Sequence, residues 1–359
     1  MIFEDSGDIM NIISYTPSAA PVTTMIHIQK GILADAGTFI KGLAGVEKAA
    51  LITDTNVAPL YGSKVLEALK EEGIEASIYA IRAGEEHKHL GTVQELYDFF
   101  DEIGITRTDV IVALGGGVVG DIAGMAAATY LRGVKIVQIP TTLLAQVDSA
   151  VGGKTGVDLK SGKNRVGVFH QPSIVLTDPE VLSTLPPEQL ACGMAEVIKY
   201  ACIKDSGLFE ELEKGITSID MEKVIRVCCE IKSGIVERDS HDRGERKLLN
   251  FGHTIGHAVE RYYNYQGYLH GQAVAIGMCM LLKACCEIGG CRAEEAERIR
   301  ALCRLYALPE TAEIPKHELI ELFSKDKKQE GSMLHLVLLH GIGQGYLYPC
   351  RAQELERYL

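Results

Sequence analysis

The feature that most constrains this chain is a change of period near Leu185-Pro186-Pro187. Before it, short β-branched runs alternate with amphipathic stretches. Residues 49–53, 76–81, 110–114, 135–139 and 173–176 read as strands, with helical patterns at 56–71, 89–103 and 118–129 between them. Alternation of this kind predicts a mainly parallel, doubly wound α/β sheet with helices on both faces. After the prolines the pattern is almost wholly helical, at 189–204, 221–238, 246–263, 272–288 and 293–305. One strand-like run at 333–339 follows, before a terminal helix. Proline pairs disfavour helix in the residues before them, so the break is placed at 178/179. Residues 1–20 read as a poorly ordered leader, 21–178 as the α/β domain and 179–359 as a mostly helical domain. An active site is expected in the cleft between them.

A chain of 359 residues is long enough for two cores. The 48 acidic against 36 basic residues give a net charge of −12, which disfavours nucleic acid as a partner. Any anion site must be a local gathering of Lys and Arg against that background. The most apolar stretch, 273–282, is about half a bilayer span, so no membrane segment is expected. Glu4, Asp5 and Asp8 stand where an export signal would carry positive charge. The ten cysteines include the adjacent pairs Cys228-Cys229 and Cys285-Cys286 inside helical patterns, with no CxxC. Reduced thiols in a cytoplasmic protein fit that usage better than a disulfide framework.

Gly115-Gly116-Gly117-Val118-Val119-Gly120-Asp121 follows a strand and opens a helix, where a diphosphate could approach backbone N–H groups. A tight strand-to-helix turn would use the same glycines. Asp54 and Asn56 could reach that crevice, although turn chemistry explains them equally well. Further on, Gly152-Gly153-Lys154-Thr155 lacks the leading glycine of a P-loop and follows no predicted strand. It reads as a loop presenting Lys154, with Lys163 and Asn164 close behind. These three suit a phosphate or carboxylate, or merely a solvated basic loop. In the helical half, Glu196 and Lys199 share a face at i,i+3, and His253 and His257 share one at i,i+4. Gly252 and Gly256 leave room for a close approach, and His270 opens the next helix. One carboxylate and two imidazoles on neighbouring helices could hold a catalytic Zn²⁺ with an open position. Ordinary surface or core histidines are the alternative.

The joint pattern resembles the 3-dehydroquinate synthase family. GGGVVGD, PTTLLAQVDSAVGGKTG, GKN, AEVIKY, LLNFGHTIGHAVE and the His-Gly run at 270 occur in that family's order, from about residue 50 to 330. The resemblance implies metal ligands Glu196, His253 and His270, the metal being zinc or cobalt. It implies an NAD site from Asp54, Asn56, Glu85, Lys88, Gly115, Gly116, Gly117, Val118, Gly120, Asp121, Thr141, Thr142, Lys154 and Lys163. Substrate contacts are implied for Asp148, Lys154, Asn164, Lys199, Lys232, Arg246, Asn250 and His257. Arg132 is implied to reach the neighbouring site of a homodimer, and a lysine of Asp326-Lys327-Lys328 to join the phosphate site. The implied reaction converts 3-deoxy-D-arabino-heptulosonate 7-phosphate to 3-dehydroquinate and phosphate, a step of aromatic amino acid biosynthesis. It runs by transient oxidation, phosphate elimination, reduction, ring opening and aldol closure. The phosphate can serve as the base for its own elimination, in keeping with no surplus carboxylate beyond the metal ligand. Asp242 and Gln272 depart from the family's usual Glu. Another sugar-phosphate cyclase, a metal-dependent polyol or glycerol dehydrogenase, and a catalytically dead NAD-binding regulator are the competing readings. The intact VDSAVGGKTG stretch, the anion-binding set and the intact metal residues speak against them in turn.

Overall fold

The computed structural model describes residues 23–327 and 334–350. The leader at 1–20, Lys328 and the end of the expected terminal helix lie outside the described residues. The first half is a six-stranded sheet, all neighbours parallel, in the order β1-β8-β5-β4-β2-β3. Its strands are β1 (Met25–Ile28), β2 (Lys48–Asp54), β3 (Glu75–Ile81), β4 (Val110–Gly115), β5 (Lys135–Pro140) and β8 (Ile174–Thr177). Between β5 and β8 an antiparallel pair, β6 (Lys154–Leu159) and β7 (Gly162–Phe169), stands apart from this sheet. Helices α1 (Ala36–Lys41) and α2 (Ser63–Glu71) contribute to a core that includes Leu51, Val112 and Val137. Helices α3 (Leu90–Glu102) and α4 (Gly117–Thr129) contribute to another that includes Ile52, Ile111 and Ile136. Strand residues of opposite parity thus serve the two faces, as a sheet buried on both sides requires.

The second half packs α5 (Pro187–Lys204), α6 (Ser206–Leu212), α7 (Met221–Arg238), α8 (His253–Tyr262), α9 (His270–Ala284), α10 (Ala293–Leu305) and α11 (Lys316–Lys327). An antiparallel pair, β9 (Leu334–Leu339) and β10 (Gly345–Cys350), completes it. Leu143, Val147 and Val151 of the first half belong to the same core, so the halves are joined by buried apolar contact. All ten cysteines are free, and all but Cys286 are buried. Helix His270–Gly289, counting a final π turn, is long and apolar enough to cross a membrane. Its most apolar window is 67% buried against the rest of the chain, as in the core helix of a folded domain.

Three sequence expectations need correction. The helix expected over 246–263 is broken: Glu245–Asn250 is a 3-10 turn and α8 begins afresh at His253. Gly252 lies between them at φ 81°, a left-handed conformation that ends one helix and caps the next. The loop expected around Lys154 is the strand β6, paired with β7 from Lys154↔Phe169 onward. Alternating turn glycines had masked its strand pattern. The expected run at 333–339 has a partner in β10, a second strand at Gly345–Cys350 where only a terminal helix was expected to follow.

Candidate active site

The sheet order reverses between β2 and β4, which lie side by side with later strands continuing outward from β4. In doubly wound sheets ligands bind at that reversal, beyond the carboxyl ends of the strands. Asp54 ends β2, and Gly115 ends β4 and leads through Gly116 and Gly117 into α4 with Val118, Gly120 and Asp121 in its first turns. Asp54 Oδ1 accepts the N–H groups of Asn56 (2.8 Å) and Val57 (3.0 Å), a turn-capping arrangement. Thr141 donates its N–H to the Gly115 carbonyl (2.9 Å), and Thr142 Oγ1 accepts from Ala145 N. Both threonines therefore sit beside the glycine turn.

Lys88 is buried here and donates to Asp121 Oδ2 and Asn164 Oδ1, each at 2.6 Å. Burial opposes its charge, but Asp121 and Glu85 outweigh burial and raise its pKa. Asn164, at φ 53°, is thus drawn toward Asp121 and the glycine turn. Lys163 lies 3.4 Å from Glu85 and 3.1 Å from Glu260, bridging the β6–β7 pair to α8.

The metal-type residues converge because their helices touch backbone to backbone. A Cβ at Gly271 would fall 2.1 Å from the Cys192 carbonyl oxygen of α5, and one at Gly277 2.0 Å from that of Gly252. Only glycine allows such contacts between helices. They seat His270 on α5 beside Glu196 and bring α8, with His253 at its start, against α9. The close approach foreseen at Gly252 and Gly256 is therefore made by α9 itself.

Glu196 is fully buried, and its Oε1 has no hydrogen-bond partner among the described residues. His253 Nε2 lies 3.4 Å from that oxygen and His270 Nε2 3.6 Å. One ligand atom from each of the three falls within 4.8 Å of the others. A buried carboxylate oxygen left without a donor and faced by two imidazoles fits a divalent ion. Burial lowers the His253 pKa to about 3, leaving the neutral ring a metal requires. His257, Glu260 and His270 form a second such group on the outer side of His270.

Beside the trio, Lys199 donates to Glu196 Oε2 and lies 3.9 Å from Asp148. Lys232 meets both the Asp148 carbonyl (2.6 Å) and Oδ1 (2.8 Å), and the Tyr200 hydroxyl donates to Oδ1 as well. Burial works against the Asp148 charge, yet Lys232 and Lys199 hold its pKa at about 2. Burial also lowers the pKa of Lys232 despite Asp148. Arg246, 2% exposed, donates to the Ser240 (2.9 Å) and Gly152 (3.0 Å) carbonyls, 5.8 Å from the centre of the Phe169 ring. Lys154 is half exposed and pairs with Asp242. Asn250 closes the turn before α8. Arg132 stands apart from these groups, exposed on a corner where Leu131 and Arg132 both have positive φ. Lys327 ends α11.

Sequence reasoning missed Glu260 and Tyr200. Glu260 is a buried carboxylate beside His270, so the expectation of no surplus carboxylate fails. Its i,i+3 spacing from His257 was the available signal.

Truncating Arg246 tests the basic pocket. Arg246→Ala and Lys154→Ala are each expected to lose about 2–4 kcal/mol of kcat/KM, the scale for removing a charge-paired contact. NAD affinity should stay close to wild type in Arg246→Ala. Near-normal kcat/KM in either variant would remove that residue from the substrate set.

A parallel sheet with a glycine turn at its reversal, facing a three-residue metal trio and buried cations, defines a two-domain nucleotide- and metal-using enzyme for an anionic substrate. Models of the 3-dehydroquinate synthase N-terminal and C-terminal regions match residues 78–192 and 193–329. The chain belongs to the 3-dehydroquinate synthase family. It is 45% identical over 339 residues to a 3-dehydroquinate synthase of Clostridium acetobutylicum, spanning 93% of this chain and 95% of that one. Among solved structures, the 2-epi-5-epi-valiolone synthase of Streptomyces hygroscopicus subsp. jinggangensis, with NAD+ and Zn2+ bound, matches with TM-score 0.86 and 29% identity. That match covers 96% of this chain and 98% of the other. A 2-deoxy-scyllo-inosose synthase complexed with carbaglucose-6-phosphate, NAD+ and Co2+ matches with TM-score 0.82 and 26% identity, covering 93% and 95%.

Proposed function

We propose that this chain converts 3-deoxy-D-arabino-heptulosonate 7-phosphate to 3-dehydroquinate and phosphate, using NAD and one divalent ion, zinc or cobalt. Family membership supports the reaction. The observation that carries the site assignment is the meeting of Glu196, His253 and His270 beside the buried Lys199, which shares Asp148 with the buried Lys232. When bound, NAD supplies reversible hydride exchange and the ion polarises substrate oxygens. Glu196, His253 and His270 are the residues that would hold the ion. Asp54, Asn56, Glu85, Lys88, the turn Gly115–Asp121, Thr141, Thr142, Lys154 and Lys163 would border the nucleotide.

Lys154, Asn164, Lys232, Arg246 and Asn250 bind the carboxylate and phosphate ends, placing the ring before any bond changes. Lys199 and Lys232 keep Asp148 ionised, and the Tyr200 hydroxyl fixes its direction. His257 takes the role of passing a proton to the departing phosphate, and its place beside His253 and His270 supports this. The 21–178 and 179–359 division belongs to the same reading, with nucleotide residues in the first part and metal ligands in the second. So does a homodimer in which Arg132 enters the neighbouring site; its exposure and left-handed backbone support a projecting role. A cytoplasmic location accords with ten free thiols.

Purified protein is expected to release one phosphate per carbocyclic product with only catalytic NAD+. Phosphate assay, product analysis and absorbance of free NADH check this together. Free NADH rising in proportion to product would overturn the reading in favour of a net dehydrogenase.

A further inference from the structure

A metal-facing histidine is held by whatever its second ring nitrogen meets. For His253 that partner is backbone: Nδ1 lies 3.3 Å from the Phe251 carbonyl. For His270 it is a side chain, Glu260 Oε2, at 3.3 Å from Nδ1. The two rings therefore share one arrangement, Nε2 toward Glu196 Oε1 and Nδ1 toward an oxygen acceptor. Glu260 is only 2% exposed, an expensive place for a carboxylate. Its other oxygen faces Lys163 Nζ at 3.1 Å, and Lys163 also lies over the Tyr265 ring. An ion pair made only for stability would need Lys163 alone. Here the second oxygen is spent on the far nitrogen of a ring that faces the metal trio.

We propose that Glu260 is a positioning residue. It accepts the His270 Nδ1–H and so leaves Nε2 as the nitrogen turned toward Glu196 and the metal position, while Lys163 anchors the carboxylate from the β6–β7 pair. This rests on the metal-dependent reading above. In substrate-free protein, Glu260→Gln is expected to weaken zinc binding about 10–100-fold, measured by competition with a chromogenic chelator. Glu260→Asp should weaken it less. Wild-type and variant proteins should bind one zinc per chain, with similar thermal unfolding when metal-free. Unchanged zinc affinity in folded Glu260→Gln would overturn the proposal. Two zinc ions per wild-type chain, one of them lost in the variant, would make Glu260 a ligand and overturn it equally.

Should Glu260→Gln fail to fold, 15N-histidine spectra of zinc-loaded wild type decide. They should show His270 protonated at Nδ1 and metal-bound at Nε2, and the reverse would refute the assignment. None of these measurements uses the sugar-acid phosphate. A wild type that binds zinc as described but makes no carbocycle would therefore sink the proposed reaction and leave this inference standing.

Discussion

His253→Ala and Glu196→Gln are expected to lose tightly bound metal and at least about 10³-fold in kcat/KM, whereas His257→Asn keeps its metal and turns over slowly. A Lewis-acid ion supplies several kcal/mol of charge stabilisation, which sets the scale. Glu196 Oε1 is buried without a donor and faces both imidazoles within 3.6 Å, so the amide of Glu196→Gln would remove the one anionic ligand. His257 belongs instead with Glu260 and His270, on the other side of the shared ring. Spacing alone could not separate the two histidines, because i,i+4 residues point the same way. The packing of α9 against α8 offers a distinction: His253 opens α8 beside Glu196, and His257 lies one turn further along. Atomic absorption alongside steady-state rates tests the division. Equal metal loss in the His253 and His257 variants would make both of them ligands.

What could be read in the sequence was whatever repeats with a period or is carried by a contiguous motif. The β2, β4 and β5 strands are apolar on both faces, and their cores fall within a residue of the expected ends. Helices α7 and α10 match the expected ranges, because apolar residues recur along one face of each. The β6–β7 pair was missed because Gly156, Gly162 and Gly167 interrupt its alternation, and its stability comes from cross-strand pairing. The break before α8 was announced by Asn250-Phe251-Gly252, but apolar residues continuing on either side hid it.

The site followed the same rule. Glu196, His253 and His270 could be proposed separately, yet no local signal brings α5, α8 and α9 together. That contact depends on glycines whose partners are backbone atoms of distant segments. The role of Lys88 as the partner of both Asp121 and Asn164 was likewise invisible, since these two lie 33 and 76 residues from it. Asn164, read as a substrate contact, bonds a lysine assigned to the nucleotide.

Lys199→Met is expected to be the most destabilising conservative change at the site, by about 3–5 kcal/mol in metal-free protein. Lys199 is 1% exposed and pairs with Glu196, itself fully buried, while lying 3.9 Å from Asp148. Burial would lower its pKa, but Glu196 and then Asp148 raise it, so it remains charged. Its removal leaves Glu196 as a buried anion with only imidazoles for company, and Asp148 with Lys232 and Tyr200. Methionine matches the stem in volume, so the loss reflects stranded charge more than a cavity. A divalent ion beside Glu196 would restore the missing positive charge. Zinc should therefore recover a larger part of the stability in Lys199→Met than it adds to the wild type. Adding Glu196→Gln to Lys199→Met should also cost less than the sum of the single changes, because the stranded charge is then gone. Urea unfolding with and without zinc, on both single variants and the double, measures each quantity. Additive losses would mean that the two side chains do not compensate one another, and an equal zinc effect in wild type and variant would separate Lys199 from the metal position.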